Sequence, residues 1–126
     1  MPRDLENHLI SMSRIRVHSG TEVSCLRFRG SVRKPTEEMF RHRLADAGSR
    51  ASHLVVDLSE MEYLCSSGLG ILLEQAVLQE RQGGWLRLIS PSPSVSMILR
   101  LSGAAGSLAW FAEETQALDD LPSRAA

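Results

Sequence analysis

Seventeen residues constrain this chain most: Leu54-Val55-Val56-Asp57-Leu58-Ser59-Glu60-Met61-Glu62-Tyr63-Leu64-Cys65-Ser66-Ser67-Gly68-Leu69-Gly70. The unbroken apolar run at Leu54–Val56, flanked by polar residues, reads as a strand covered on both faces, usually beside parallel neighbours. Leu69, Leu72, Leu73 and Ala76 then repeat as one stripe of a helix running from Ser67 to about Arg81, which Gly83-Gly84 breaks. Ser66 and Ser67 fall where that helix begins, so an exposed serine is predicted to cap it, and Gly68 and Gly70 are predicted to permit close packing. A phosphate on such a serine would change the charge of a surface without disturbing the core behind it.

The flanking segments extend the same architecture. Residues 14–18 and 22–29 alternate around His18-Ser19-Gly20-Thr21, which predicts a β-hairpin. Gly30 is predicted to end the second strand, Pro35 to open a helix at its first position, and Gly48 to stop it; Phe40, Leu44 and Ala47 form its apolar stripe. Trp85-Leu86-Arg87-Leu88-Ile89 is the next strand. Ser92 caps a helix with Pro93 at its first position and Gly103 beyond its end. Trp110-Phe111 is a last short strand, and residues 113–121 an acidic closing helix with Ala117, Leu118 and Leu121 inward. Strands alternating with helices predict an α/β fold, a mixed sheet of about four to five strands with about four helices packed on it. Residues 1–12 are expected to be a loose N-terminal segment, 13–121 the domain and 122–126 a tail.

Composition narrows the function. At 126 residues and 43% apolar the chain suits one domain with its own core. It has no apolar run of about 18 residues to insert into a membrane, and its first residues carry no secretory signal pattern, so a cytoplasmic location is expected. Cys25 and Cys65 make neither a disulfide framework nor a CxxC pair, and His8, His18, His42 and His53 are scattered, so neither a metal nor another cofactor is expected. Residues 1–50 hold ten Arg or Lys against six acids, and residues 51–126 four against nine. A basic half invites a nucleic-acid reading. Against it, Arg14/Arg16 and Arg27/Arg29 alternate with apolar Ile15/Val17 and Leu26/Phe28 as on the outer face of a strand pair, and aromatic residues are only 5%, too few for base-stacking platforms. No Gly-x-Ser-x-Gly elbow or His-Glu-x-x-His pair is present, and the only lysine, Lys34, is far in sequence from Gly68 and Gly70, so catalysis and P-loop nucleotide binding are not expected. Asp57 reads as a turn or cap acceptor, and His42 and His53 as solvated.

The sequence resembles a known family. Strand with Gly30, helix, apolar strand with Asp57, Ser66-Ser67-Gly68-Leu69-Gly70, Gly83-Gly84-Trp85-Leu86-Arg87-Leu88, then Ile98-Leu99-Arg100-Leu101-Ser102-Gly103 and Ala117-Leu118 together look like a STAS domain, the fold of bacterial anti-sigma factor antagonists, over about residues 14–121. The resemblance implies partner switching. The unmodified antagonist binds an anti-sigma factor that is also a serine kinase; the kinase phosphorylates it, the complex separates, and a PP2C-type phosphatase resets the switch. The acceptor serine implied is Ser66. The implied docking surface is the loop Ser31, Val32, Arg33 and Lys34 with Cys65, Ser66, Ser67, Gly68, Leu69, Leu72 and Leu73. Cys65 stands where the family pattern has aspartate before the acceptor, and Arg33 where an acid commonly follows the glycine loop. Charge reversal at a contact changes partner choice more than fold. Stand-alone STAS domains also resemble subunits of transporter ATPases and parts of signalling scaffolds, so a module that docks without phosphorylation is the alternative. Cys65 itself reads as a small apolar filler, with a reactive thiol as the other option.

Overall fold

The structure, a computed structural model, describes residues 8–121, so the first seven residues of the expected loose segment and the tail at 122–126 lie outside the described residues. In chain order the elements are β1 (Leu9–His18), β2 (Thr21–Val32), a 3-10 turn (Lys34–Thr36), α1 (Glu37–Gly48), β3 (His53–Leu64), α2 (Ser66–Arg81), β4 (Trp85–Ile89), α3 (Pro93–Leu101), a second 3-10 turn (Ala104–Gly106), β5 (Ala109–Phe111) and α4 (Glu114–Leu118).

The five strands lie in sequence order, β1-β2-β3-β4-β5. A two-residue turn with Ser19 and Gly20 both at positive φ joins β1 antiparallel to β2, the geometry that matches strand twist. Every later neighbour is parallel and is reached through one helix. Crossovers of one hand between strands that always step the same way put their helices on the same face of the sheet. Here α1, α2 and α3 accordingly share one core, where Phe28, Phe40, Leu44, Leu54, Val56, Leu72, Leu88, Val95 and Leu99 are fully buried. Val55 points to the opposite face, as period-two alternation requires, and joins Val23, Cys25, Ile89, Ala117, Leu118 and Leu121 in a smaller core under α4. The double-sided burial of Leu54-Val55-Val56 is thus observed.

The strand boundaries differ from expectation at both ends of the hairpin. β1 begins at Leu9, inside the segment expected to be loose, because Leu9 pairs with Gly30 and is buried. β2 runs through Gly30 to Val32, with Gly30 (φ +113) at a shift in register where a Cβ would lie 2.1 Å from the His8 carbonyl oxygen. Only half of the expected alternation holds: Leu26 and Phe28 are buried, but Ile15 and Val17 are 43% and 63% exposed, since β1 is the sheet edge. Pro35 sits in the 3-10 turn that leads into α1, and Gly48 is the last residue of the helix. Its role is close approach: an added Cβ would lie 2.2 Å from Gln79 Oε1 and 2.4 Å from Gln75 Nε2. Those two amides form a buried ladder, Gln75 donating to Gln79 (2.8 Å) and Gln79 donating to the carbonyls of Ala51 (3.1 Å) and Ser52 (2.8 Å). Polar groups at such depth need partners, and these have them.

Candidate functional site

Backbone pairing at the C-terminal ends of two parallel strands builds the site. Val32 pairs with Leu64, and the Cys65 N–H donates to the Val32 carbonyl at 3.1 Å. α2 starts at the next residue, with Leu69 N–H donating to Cys65 C=O at 3.0 Å as its first i→i−4 bond. Crevices outside the carboxyl ends of parallel strands are where α/β proteins present functional groups.

Cys65 is the N-cap (φ −74, ψ 166), and its side chain makes no capping bond. Neither serine caps the helix, contrary to expectation, because both already lie inside it: Ser66 is the first helical residue and Ser67 the second. The first N–H groups of α2 therefore keep their partial positive charge without a side-chain acceptor. Ser66 and Ser67 are exposed; Cys65 is half-buried with its Sγ 3.3 Å from Ser67 Oγ. Gly68 is held against the strands: a Cβ there would lie 2.8 Å from both Leu64 Cδ1 and Val32 Cγ1. Gly70 has nothing within 4 Å of such an atom, so its expected packing role is not observed.

The expected docking residues divide by depth. Arg33, Lys34, Ser66 and Ser67 are exposed, and Cys65 and Leu73 half-buried. Ser31, Val32, Gly68, Leu69 and Leu72 are buried, Leu72 and Val32 completely. A helix resting on a sheet turns its 69/72/76 stripe inward, so these residues position the surface and are not contacts on it.

Two residues missed by sequence reasoning complete the surface. Tyr63, 37% exposed, lies under the Arg33 guanidinium, 4.3 Å from ring centroid to Cζ. Thr36, buried behind the loop, accepts from the Arg33 N–H (3.0 Å) and donates to the Ser31 carbonyl (2.8 Å). Nearby, the predicted Ser92 cap accepts from Val95 N–H and donates to the Met61 carbonyl (2.7 Å), while Ser94 donates to Glu62 C=O (2.9 Å). These bonds fasten α3 to the C-terminal end of β3. They leave Met97 and Leu101, opposite the buried pair Val95 and Leu99, 61% and 82% exposed. The i, i+4 spacing within each pair, with the pairs two residues apart and so on opposite faces, was the available signal.

The basic residues of the hairpin have internal partners. Arg14 and Arg16 both bind Glu114, Arg27 binds Asp57 (3.2 Å), and Arg29 approaches Glu60 (3.8 Å). Asp57 also accepts from the Ser59 N–H, the turn-type role expected of it. Around a pocket of about 90 Å³ on this face, Arg14, Arg27, Asp57 and Glu114 stand over Cys25, Val55 and Ile89. Burial raises the Cys25 thiol above its ordinary range against the opposing pull of Arg14 and Arg16. His53, expected to be solvated, opens β3 and stacks on Trp85, ring centroids 4.6 Å apart. Among the described residues no group of three or more His, Cys, Asp or Glu side chains could hold a metal ion, and no helix is long and apolar enough to cross a membrane.

A mixed sheet in sequence order, with three helices on one face and a serine at the first turn of the helix after the central strand, defines a small α/β domain of one recognisable class. The family model described as "Mlab, STAS domain" matches residues 15–110, and the chain belongs to the STAS domain family. It is 29% identical over 101 residues to an anti-sigma F factor antagonist of Paenibacillus polymyxa, covering 79% of this chain and 86% of the relative. Among solved structures it is similar to an anti-sigma factor antagonist from Mycobacterium paratuberculosis (TM-score 0.72, 22% identity, 87% and 92% of the two chains). It is also similar to the anti-sigma factor antagonist SpoIIAA in its unphosphorylated form (TM-score 0.65, 21% identity, 86% and 94%). SpoIIAA of Bacillus is likewise known in a phosphorylated form (TM-score 0.58, 21% identity, 86% and 97%).

Proposed function

We propose that this chain is an anti-sigma factor antagonist: a non-catalytic protein that binds an anti-sigma factor with serine kinase activity and is released when Ser66 is phosphorylated. The carrying observation is the exposed Ser66 hydroxyl at the first turn of α2, with no side chain occupying the helix's N–H groups. SpoIIAA, which shares the fold, exists in unphosphorylated and phosphorylated forms. In the reaction the serine oxygen forms a bond to the γ-phosphorus of a nucleoside triphosphate, the bond to the diphosphate breaks, and the hydroxyl proton leaves to a base of the kinase. A PP2C-type phosphatase reverses the modification by hydrolysis.

The consequence is electrostatic. A phosphoserine carries roughly −1.5 to −2 charge at neutral pH and is accommodated at a helix N-terminus, so the fold survives the modification. A partner surface packed over Ser66 must instead desolvate that charge. A loss of about 3 kcal/mol weakens binding more than a hundredfold, enough for a switch.

The test is to incubate the protein with ATP and candidate anti-sigma factor kinases and to locate added phosphate by mass spectrometry. Phosphate on Ser66, absent from Ser66→Ala, supports the reading, as does weaker partner binding by Ser66→Asp. Binding with no phosphate transfer supports a second reading, favoured by Cys65 in place of the acidic residue: a STAS module that docks permanently on a transporter ATPase or a signalling scaffold.

A further inference from the structure

We propose that Arg33 is the internal counter-charge for a phosphate on Ser66, leaving the Tyr63 ring to meet it. This inference rests on the reading of Ser66 as an acceptor and concerns how the modified state is organised. The juxtaposition comes from the β2–β3 pairing. The Cys65 N–H to Val32 C=O bond joins the strand ends, and Arg33 and Ser66 each follow by one residue, both exposed. The loop carrying Arg33 is not free to drift, because the buried Thr36 hydroxyl ties its N–H to the Ser31 carbonyl.

The state of the guanidinium is the decisive observation. Arg14, Arg16, Arg27, Arg29 and Arg87 all have carboxylates within 4.0 Å. Among the described residues Arg33 and Lys34 have none, as is true of Arg43, Arg81 and Arg100 elsewhere; what sets Arg33 apart is its place at the strand end beside Ser66, with the face of Tyr63 as its partner at 4.3 Å. An exposed cation–π contact is weaker than a forked, charge-assisted bond to phosphate, so a phosphate one strand away outcompetes the ring. Phosphorylation then removes a positive patch where Arg33 and Lys34 had offered one, and uncovers Tyr63. The surface recognised by the unmodified protein is therefore acidic opposite Arg33, the inverse of a site ringed by acids.

The test uses the full chain with phosphoserine placed at position 66 during translation, compared with the same protein carrying Arg33→Ala or Arg33→Lys. The other titratable groups on the meeting elements, among them Lys34, Glu37, Glu38, Glu62, Tyr63, Cys65 and Glu74, are unchanged between the variants. In a ³¹P NMR titration the phosphate's second ionisation should be about threefold stronger with Arg33 than with alanine, a difference of about half a pKa unit, with lysine between. Tyr63 ring resonances should move on phosphorylation in the native protein and stay still in Arg33→Ala. Identical phosphate titration in all three proteins, or a Tyr63 ring indifferent to the phosphate, overturns the proposal. Because the phosphoserine is installed without a kinase, either failure leaves the Ser66 acceptor reading to its own mass-spectrometric test.

Discussion

Two positively charged regions treat their charge in opposite ways. On the α4 face, Arg14 and Arg16 converge on Glu114, Arg27 joins Asp57, and Arg87 forms a bidentate pair with Asp120 (2.6 and 2.9 Å) while lying 4.0 Å over the Trp85 ring and donating to the Ala117 carbonyl. At the β2–β3 end, Arg33 and Lys34 face solvent beside Ser66. The first set fastens a five-residue helix that is too short to hold itself; the second is available to another molecule. Much of the basic charge of the N-terminal half is neutralised within the fold, whereas phosphate recognition by a nucleic-acid binder requires free cations in a row or patch.

Four changes would sharpen that contrast. The largest effect belongs to the shared core. Leu72→Ala should destabilise the protein by about 3 kcal/mol in urea denaturation, as a fully buried leucine loses contacts and leaves a cavity. Gly68→Ala should come next at about 2 kcal/mol, because its methyl would press on Leu64 and Val32; a neutral result would mean the strand ends yield and the site is less rigid than described. Arg87→Ala should cost about 1 kcal/mol and speed amide exchange in α4, whereas Arg33→Ala should change stability by less than about 0.5 kcal/mol. Equal effects from both would erase the distinction between fastening and free arginines.

The smallest effect is one of pH. The Arg87 hydrogen bond holds the Asp120 carboxyl below its ordinary range. A depressed carboxyl stabilises the fold above its unfolded value, and that contribution fades as pH falls through the folded one. Asp120 is well exposed, so α4 should loosen only slightly on acidification below about pH 4, read as α4 amide exchange, and Asp120→Asn should remove that dependence.

The elements were legible in the sequence wherever a local signal fixed them. Ser92-Pro93 and Gly103 bracket α3, the apolar run at Leu54–Val56 announced parallel neighbours, and Gly83-Gly84 ended α2 where it does end. What stayed hidden depends on register between distant strands. The Arg33–Tyr63 stack requires Ser31 to align with Tyr63, a pairing set across an irregular stretch of β2 that no local pattern encodes. Ile15 and Val17 carry the alternation of a half-buried strand, yet an edge position leaves them exposed. The cap of α2 was misplaced by one residue, because serine is the better capping side chain but backbone geometry gave the position to Cys65.

The buried glutamine ladder has a mechanical consequence. Sliding α2 along its axis by even one turn would take the buried Gln75 and Gln79 amides away from the Ala51 and Ser52 carbonyls that satisfy them, at the cost of unpaired polar groups. The helix is thus bolted at its rear, which opposes any piston movement of α2 along its axis. A modification or a partner met at the front of α2 would act there through surface charge and shape.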